Sequence, residues 1–298
     1  MVAIPLLALT GVGAFVGYNY WEYRTFWGNP NGVPPDVTNR GTLETKTFYS
    51  EALGRSMEYE IYLPPDYEDP RHSFTRYPVV YLLHGRPGTA DDWEKKGGAS
   101  DAMDTLLARG QARPMIVVIP QGSASRFAPA TGYVDAFEGN WGTYVTRDLL
   151  DEIDSKYRTV ESKDGRAVAG NSEGRYAAMN LGLKNPSEFG VIGSFSGYFM
   201  PDQEDKEGIF GGDQSSADAN SPMTYLLRLE GTLPASWLLI GQGDNKYLKQ
   251  NQEFAAELKA RGASFEFDTL PGKHNWNFWR AHLPDFLIFA SEQLTGGE

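Results

Sequence analysis

The chain has 298 residues, 41% of them hydrophobic, which is enough to bury the core of one large α/β domain. Its 27 Lys and Arg against 39 Asp and Glu leave a net charge of -12, which repels phosphate backbones and argues against a nucleic-acid partner. No cysteine is present, so disulfides, thiolate metal sites and cysteine nucleophiles are all excluded.

Val2 to Trp21 carries no charged residue and, as a helix, is long enough to cross the hydrocarbon core of a bilayer. Tyr18, Tyr20, Trp21, Tyr23, Phe26 and Trp27 cluster at its end. A membrane-water interface selects such rings, because each has an apolar body and Tyr and Trp add a polar tip. Residues 1–27 therefore read as a membrane anchor, with a cleaved signal peptide or a buried N-terminal helix as the alternatives. Against the signal peptide stand the absence of n-region lysines or arginines and of a clear small-x-small cleavage site. Pro5, Gly11, Gly13 and Gly17 weaken any helix, though membranes tolerate them better than water does. The catalytic domain is then expected to be extracytoplasmic, either anchored or secreted. Residues 28–43, "GNPNGVPPDVTNRGTL", have the composition of a linker, and the folded domain is expected over 44–298.

From there short β-rich runs, "TKTFYS" and "MEYEIYLPP", come first. The apolar strands "YPVVYLL", "PMIVVIP", "RAVAG", "VIGSFSG", "SWLLIG" and "SFEFDTL" then alternate with helices expected near 99–109, 141–157, 173–184, 246–261 and 276–292. Such alternation predicts an α/β fold with a mostly parallel central sheet covered by helices on both faces. Ligands of these sheets bind at the carboxyl ends of the strands, so the loops that follow the strands are where chemistry is expected. The polar, acidic stretch 200–222 shows no convincing periodicity and reads as a surface excursion beside the site. Its carboxylates lack the order of ligands and the turn glycine of a calcium loop, so no metal and no cofactor are expected.

Gly170-Asn171-Ser172-Glu173-Gly174 fits G-x-S-x-G, set between the strand "RAVAG" and the helix "GRYAAMNLGLKN". A strand that turns sharply into a helix crowds the positions two before and two after the serine, and only very small residues fit there. The pentapeptide alone is weak in so glycine-rich a chain; the strand-turn-helix setting gives it weight. A serine hydroxyl needs a base to take its proton, and histidine is the usual one near neutral pH. Of four histidines, His274 alone occupies a loop after a late strand, in "LPGKHNW". His72 precedes the core strands, His282 lies in the last helix, and His84, at the end of "YPVVYLLHG", is the alternative base. A carboxylate must fix the tautomer of the base, and Asp244 in "GQGDNKYL", just beyond "SWLLIG", falls between Ser172 and His274 in the expected order. Attack on a carbonyl creates an oxyanion, for which two backbone donors stand in position: the amides of Glu173 and of Arg86 in "HGRPG".

The blocks "YPVVYLLHGRPGTADDW", "WGTYVTRDLLDEID", "GRAVAGNSEGRYAAMN", "GSFSGYF", "IGQGDNKYLKQNQEFAAELKARG" and "LPGKHNWNFWRAHLPDFL" together resemble the esterase D-like family of α/β-hydrolases over roughly residues 44 to 293. That family includes feruloyl esterases, S-formylglutathione hydrolases and mycolyltransferases, which act through an acyl-serine. The resemblance implies the α/β-hydrolase fold, with Ser172, His274 and Asp244 as the triad and Arg86 and Glu173 as oxyanion donors. Many relatives carry methionine where this chain has Glu173, whose carboxylate must point away from an oxyanion or pair, with Arg86 or Arg175 as the available cations.

Tyr133, Trp141, Trp276 and Trp279 are candidates for an aromatic wall over an acyl or aryl group, with core packing as the commoner fate of such rings. Arg86 and Arg175 beside the serine are candidates to meet an anionic substrate, with solvated charges as the commoner fate. The expectation is a serine esterase acting on small-molecule or lipid esters, extracytoplasmic lipid or cell-envelope esters in particular, with the membrane as partner through residues 1–27. The alternatives are an acyltransferase that passes the acyl group to an alcohol and an inactive membrane-tethered binding domain.

Overall fold

A computed structural model describes residues 32–296. The apolar segment 1–27 and the start of the 28–43 stretch lie outside the described residues. Among the described residues no helix is long and apolar enough to cross a membrane.

Among the described residues ten strands form, in chain order, β1 Thr42–Ser50, β2 Arg55–Leu63, β3 Val79–Leu83, β4 Ile116–Pro120, β5 Asp135–Ala136, β6 Gly139–Asn140, β7 Arg166–Asn171, β8 Val191–Phe195, β9 Ala235–Gly241 and β10 Phe265–Leu270. Eight of them make one sheet in the order β1-β2-β4-β3-β7-β8-β9-β10. β4, β3, β7, β8, β9 and β10 run parallel, while the hairpin β1-β2 joins antiparallel at one edge. The end of the stretch read as a linker belongs to the fold. Thr42 and Leu43 pair with Leu63 and Tyr62, and Arg40 forms ion pairs with Asp101 and Asp104.

The central strands are apolar throughout because both of their faces are covered. Val79, Tyr81 and Leu83 of β3 point into one core with Ala177, Met179, Phe254 and Leu258 from the helices Glu173–Lys184 and Leu248–Ala260. Val80 and Leu82 point into the other, with Met103, Leu283 and Phe286 from the helices Ala99–Ala108 and Trp276–Gln293.

The acidic stretch 200–222 departs from the expectation of an irregular excursion. It folds into helices Gln203–Phe210 and Gln214–Ala219. Asp202 caps the first in a reciprocal box with Asp205, and Asp213 caps the second. Ile209, Phe210 and Ala217 are the residues that anchor them, packing with Ala130, Val134, Tyr176 and Tyr198 in a small third core above the strand ends.

From β3 the chain moves out to β4 and then returns across to β7 on the opposite side of β3. The strand order reverses there, so a crevice opens at the carboxyl ends of β3 and β7.

Candidate active site

Ser172 sits in that crevice, between the end of β7 and the start of the helix Glu173–Lys184. Its backbone has φ 53° and ψ −122°, a conformation that costs an L-residue about 1–3 kcal/mol. The flanking glycines make the turn possible. A Cβ on Gly170 would lie 2.4 Å from the Gly174 backbone, and one on Gly174 would lie 2.2 Å from the Leu83 carbonyl oxygen at the end of β3. The elbow is therefore pressed against the neighbouring strand, with Ser172 raised over it.

His274 lies in the loop after β10, and its Nε2 is 3.2 Å from Ser172 Oγ. Its Nδ1 is 2.7 Å from Asp244 Oδ2, in the loop after β9. The carboxylate accepts a hydrogen bond from Nδ1–H, which holds the tautomer whose Nε2 lone pair faces the hydroxyl. Asp244 is 5% exposed, so this bond works in a medium that screens it little. Asn275 caps the last helix by accepting from the Phe278 amide, which fixes the loop's exit. Burial is the main cause that lowers the His274 pKa, the Arg175 charge adds to it, and Asp244 opposes both.

The Arg86 and Glu173 amides make no backbone hydrogen bond among the described residues. Gly85 lies so close that a Cβ on it would meet Ser172 Cβ at 2.5 Å, which brings the β3 loop against the serine. His84 shapes this loop. Its Nε2 accepts from the Gly122 amide at 2.9 Å and its Nδ1 donates to the Gly85 carbonyl at 2.8 Å, so the buried ring is neutral and fully used.

The Glu173 side chain pairs with neither Arg86 nor Arg175. Its Oε1 accepts from the Thr131 and Gly132 amides at 2.9 and 2.7 Å, so the carboxylate anchors a neighbouring loop. Burial raises its pKa, and those two amides act against the rise.

The candidate aromatic wall does not form, and the rings take the commoner fate of core packing. Tyr133 donates its hydroxyl to the His84 carbonyl, Trp141 packs edge-on to Tyr144, and both rings are buried. Trp276 lies against Trp93, and Trp279 donates to Ser196 Oγ while its ring meets that of His274 edge-on at 5.0 Å. All four rings are claimed by the core, and Trp279 supports the imidazole. Arg175 is fully buried against His274 and does not reach the crevice. The cavity of about 420 Å³ at Ser172 is lined instead by Arg86, Phe127, Tyr198 and Tyr247, with Asp202, Glu204, Asp205 and Lys246. The helix Gln203–Phe210 and its cap Asp202, which were not foreseen, thus supply its acidic rim. Among the described residues, no three His, Cys, Asp or Glu side chains group closely enough to hold a metal ion.

A mostly parallel sheet with a strained serine elbow at its switch point defines an α/β-hydrolase. Residues 50–290 match the family model described as "Putative esterase", and the chain belongs to that family of ester-hydrolysing enzymes. An endo-1,4-beta-xylanase/feruloyl esterase of Xylanibacter ruminicola is 34% identical over 168 residues, which cover 55% of this chain and 23% of that protein. An esterase of Mycobacterium tuberculosis is 27% identical over 287 residues, 84% of this chain and 60% of its own length. This chain thus spans less than two thirds of either relative. A solved ferulic acid esterase superposes with a TM-score of 0.77 at 27% identity, covering 87% of this chain and 100% of that one.

Proposed function

We propose that the protein is a serine carboxylic-ester hydrolase in which Ser172, His274 and Asp244 are the catalytic triad. The observation that carries this is the unbroken series of contacts from Ser172 Oγ to His274 Nε2 at 3.2 Å and from His274 Nδ1 to Asp244 Oδ2 at 2.7 Å. Ser172 Oγ attacks the ester carbonyl and its proton passes to Nε2. The new C–O bond leaves a tetrahedral oxyanion, which the Arg86 and Glu173 amides receive. Imidazolium returns the proton to the departing alcohol as the old C–O bond breaks. Water, deprotonated by the same nitrogen, then releases the acid from the acyl-serine.

The cavity's charged rim favours a polar ester over a purely hydrocarbon one, since apolar groups would have to desolvate Arg86 and the carboxylates opposite. The uncharged run Val2–Trp21 supports a membrane-anchored or secreted enzyme whose substrates are extracytoplasmic lipid or cell-envelope esters with polar head groups. Alkaline carbonate extraction of the full chain tests the anchor; release into the soluble fraction removes it.

A fluorophosphonate probe tests the reaction. Wild-type protein is expected to label and to release p-nitrophenol from short-chain p-nitrophenyl esters, and Ser172→Ala to do neither. Folded wild-type protein that does not label would overturn the proposal. Product analysis with an added sugar or lipid alcohol distinguishes hydrolysis from acyl transfer.

A further inference from the structure

The Arg175 guanidinium is buried without an acid of its own. It is 0% exposed, and among the described residues no carboxylate forms an ion pair with it. Its Nε has no hydrogen-bond partner. It lies between the rings of Tyr198 and Tyr247, at 5.1 and 4.8 Å from their centroids. Nη1 is 3.3 Å from His274 Nδ1 and 3.5 Å from Nε2. Near-equal distances to both nitrogens describe a charge laid against the ring rather than a bond to one atom. Nδ1–H already donates to Asp244 and the Nε2 lone pair already faces Ser172, so neither nitrogen has a lone pair to spare. A cation in the first turn of the helix Glu173–Lys184 also opposes the helix dipole. Neither packing nor helix stability accounts for its place.

We propose that Arg175 is a positioning residue for the base: a permanent buried cation that keeps the His274 imidazole neutral into acidic solution and makes the imidazolium, once formed, a readier proton donor. The inference rests on the triad reading above. The charged and titratable groups near the ring divide between the two forms. Asp244, from the loop after β9, favours the imidazolium. Arg175, from the opposite side, disfavours it at contact distance. Lys246 adds to Arg175, but its charge is engaged with Asp202 at 2.9 Å. The Tyr247 and Trp279 rings, at 6.0 and 5.0 Å, close the remaining sides and carry no charge. Burial pushes the Arg175 pKa down to about 10, so the side chain remains a cation wherever the enzyme works. A base with a lowered pKa accepts a proton from serine less eagerly but returns it to a poor leaving group more readily.

The pH dependence of kcat/KM on p-nitrophenyl acetate, measured for wild type, Arg175→Met and Arg175→Lys, tests this. His274 must be neutral to act, so activity falls as pH drops through its pKa. In Arg175→Met the midpoint of this acid limb is expected to rise by roughly one pH unit, while Arg175→Lys stays near wild type. Arg175→Met is also expected to lose more activity on an alkyl ester than on the p-nitrophenyl ester, because the alkoxide needs the stronger acid. Acid limbs that coincide in the folded Met and wild-type proteins would overturn the inference and leave the triad intact. Should Arg175→Met fail to fold, NMR titration of the His274 ring decides on wild type, where a midpoint at or above the ordinary histidine value of 6.5 overturns it. Failure of the triad reading looks different: Ser172→Ala would retain full activity.

Discussion

Gly243 donates its backbone amide to the carbonyl of Gly272 at 2.8 Å, stitching the loop that carries Asp244 to the loop that carries His274. Gln242 donates likewise to Leu270, so the pair is held backbone to backbone before any side chain is considered. A Cβ on Gly241 would lie 2.6 Å from the Gly272 carbonyl oxygen. Gly241→Ala is therefore expected to part the loops, lowering kcat about tenfold or more at a stability cost of about 1–3 kcal/mol. Kinetics beside thermal melting check it; unchanged kcat would show that the stitching is dispensable.

Asp244→Asn replaces the charged acceptor of the Nδ1 proton with an amide that can donate its NH2 to Nδ1 instead. The ring can then turn its protonated nitrogen toward Ser172, and kcat is expected to fall by about a thousand- to ten-thousandfold with little loss of stability. Steady-state kinetics at pH 8 measure it, and a loss under tenfold would remove Asp244 from the mechanism.

Glu173 acts through its side chain on the loop at Thr131 and Gly132, and its neighbour Ala130 lines the cavity. Glu173→Gln keeps an oxygen for both amides and should stay near wild type. Glu173→Met leaves them unpaired, costing about 1–3 kcal/mol of stability and raising KM more than it lowers kcat. Equal melting of the Met and Gln variants would contradict this.

Glu60 gives a stability test away from the crevice. Burial, then Glu94 and Asp91, raise its pKa to about 7, and Oε2 has no hydrogen-bond partner. The native state then holds this proton more tightly than the unfolded chain does. Stability from this site is present below about 4.5 and declines as pH rises to about 7. Glu60→Gln should stabilise the protein at pH 8 by on the order of 1–2 kcal/mol and change little at pH 4. Denaturant melts at both pH values check the sign.

The sheet was legible because its strands are short apolar runs between turn residues, and the elbow because its glycines answer to a steric need visible in the spacing. Ser172, Asp244 and His274 could be placed because each follows a strand, where the side chain must emerge at the ligand-binding edge. The helices at 203–219 were not legible. Their only large apolar side chains are one pair, Ile209 and Phe210, and what starts each helix is an aspartate cap, easily read as an acidic loop. The aromatic rings misled because a ring's distance from the serine along the chain says nothing of which core claims it. Trp276 and Trp279 lie within a turn or so of His274 and still face inward. The Arg175 contact with His274 joins residues 99 apart, and no local pattern encodes it.

Ser172 stands at the end of β7 in the middle of the sheet, whereas Asp244 follows β9 and His274 follows β10 at the edge. A chain that stopped at β8 would carry the hydroxyl without the imidazole and the carboxylate that the proposed triad needs. On the proposed mechanism reactivity arrives only with the final strand, so a growing polypeptide would stay chemically silent toward esters around it until the fold is closed.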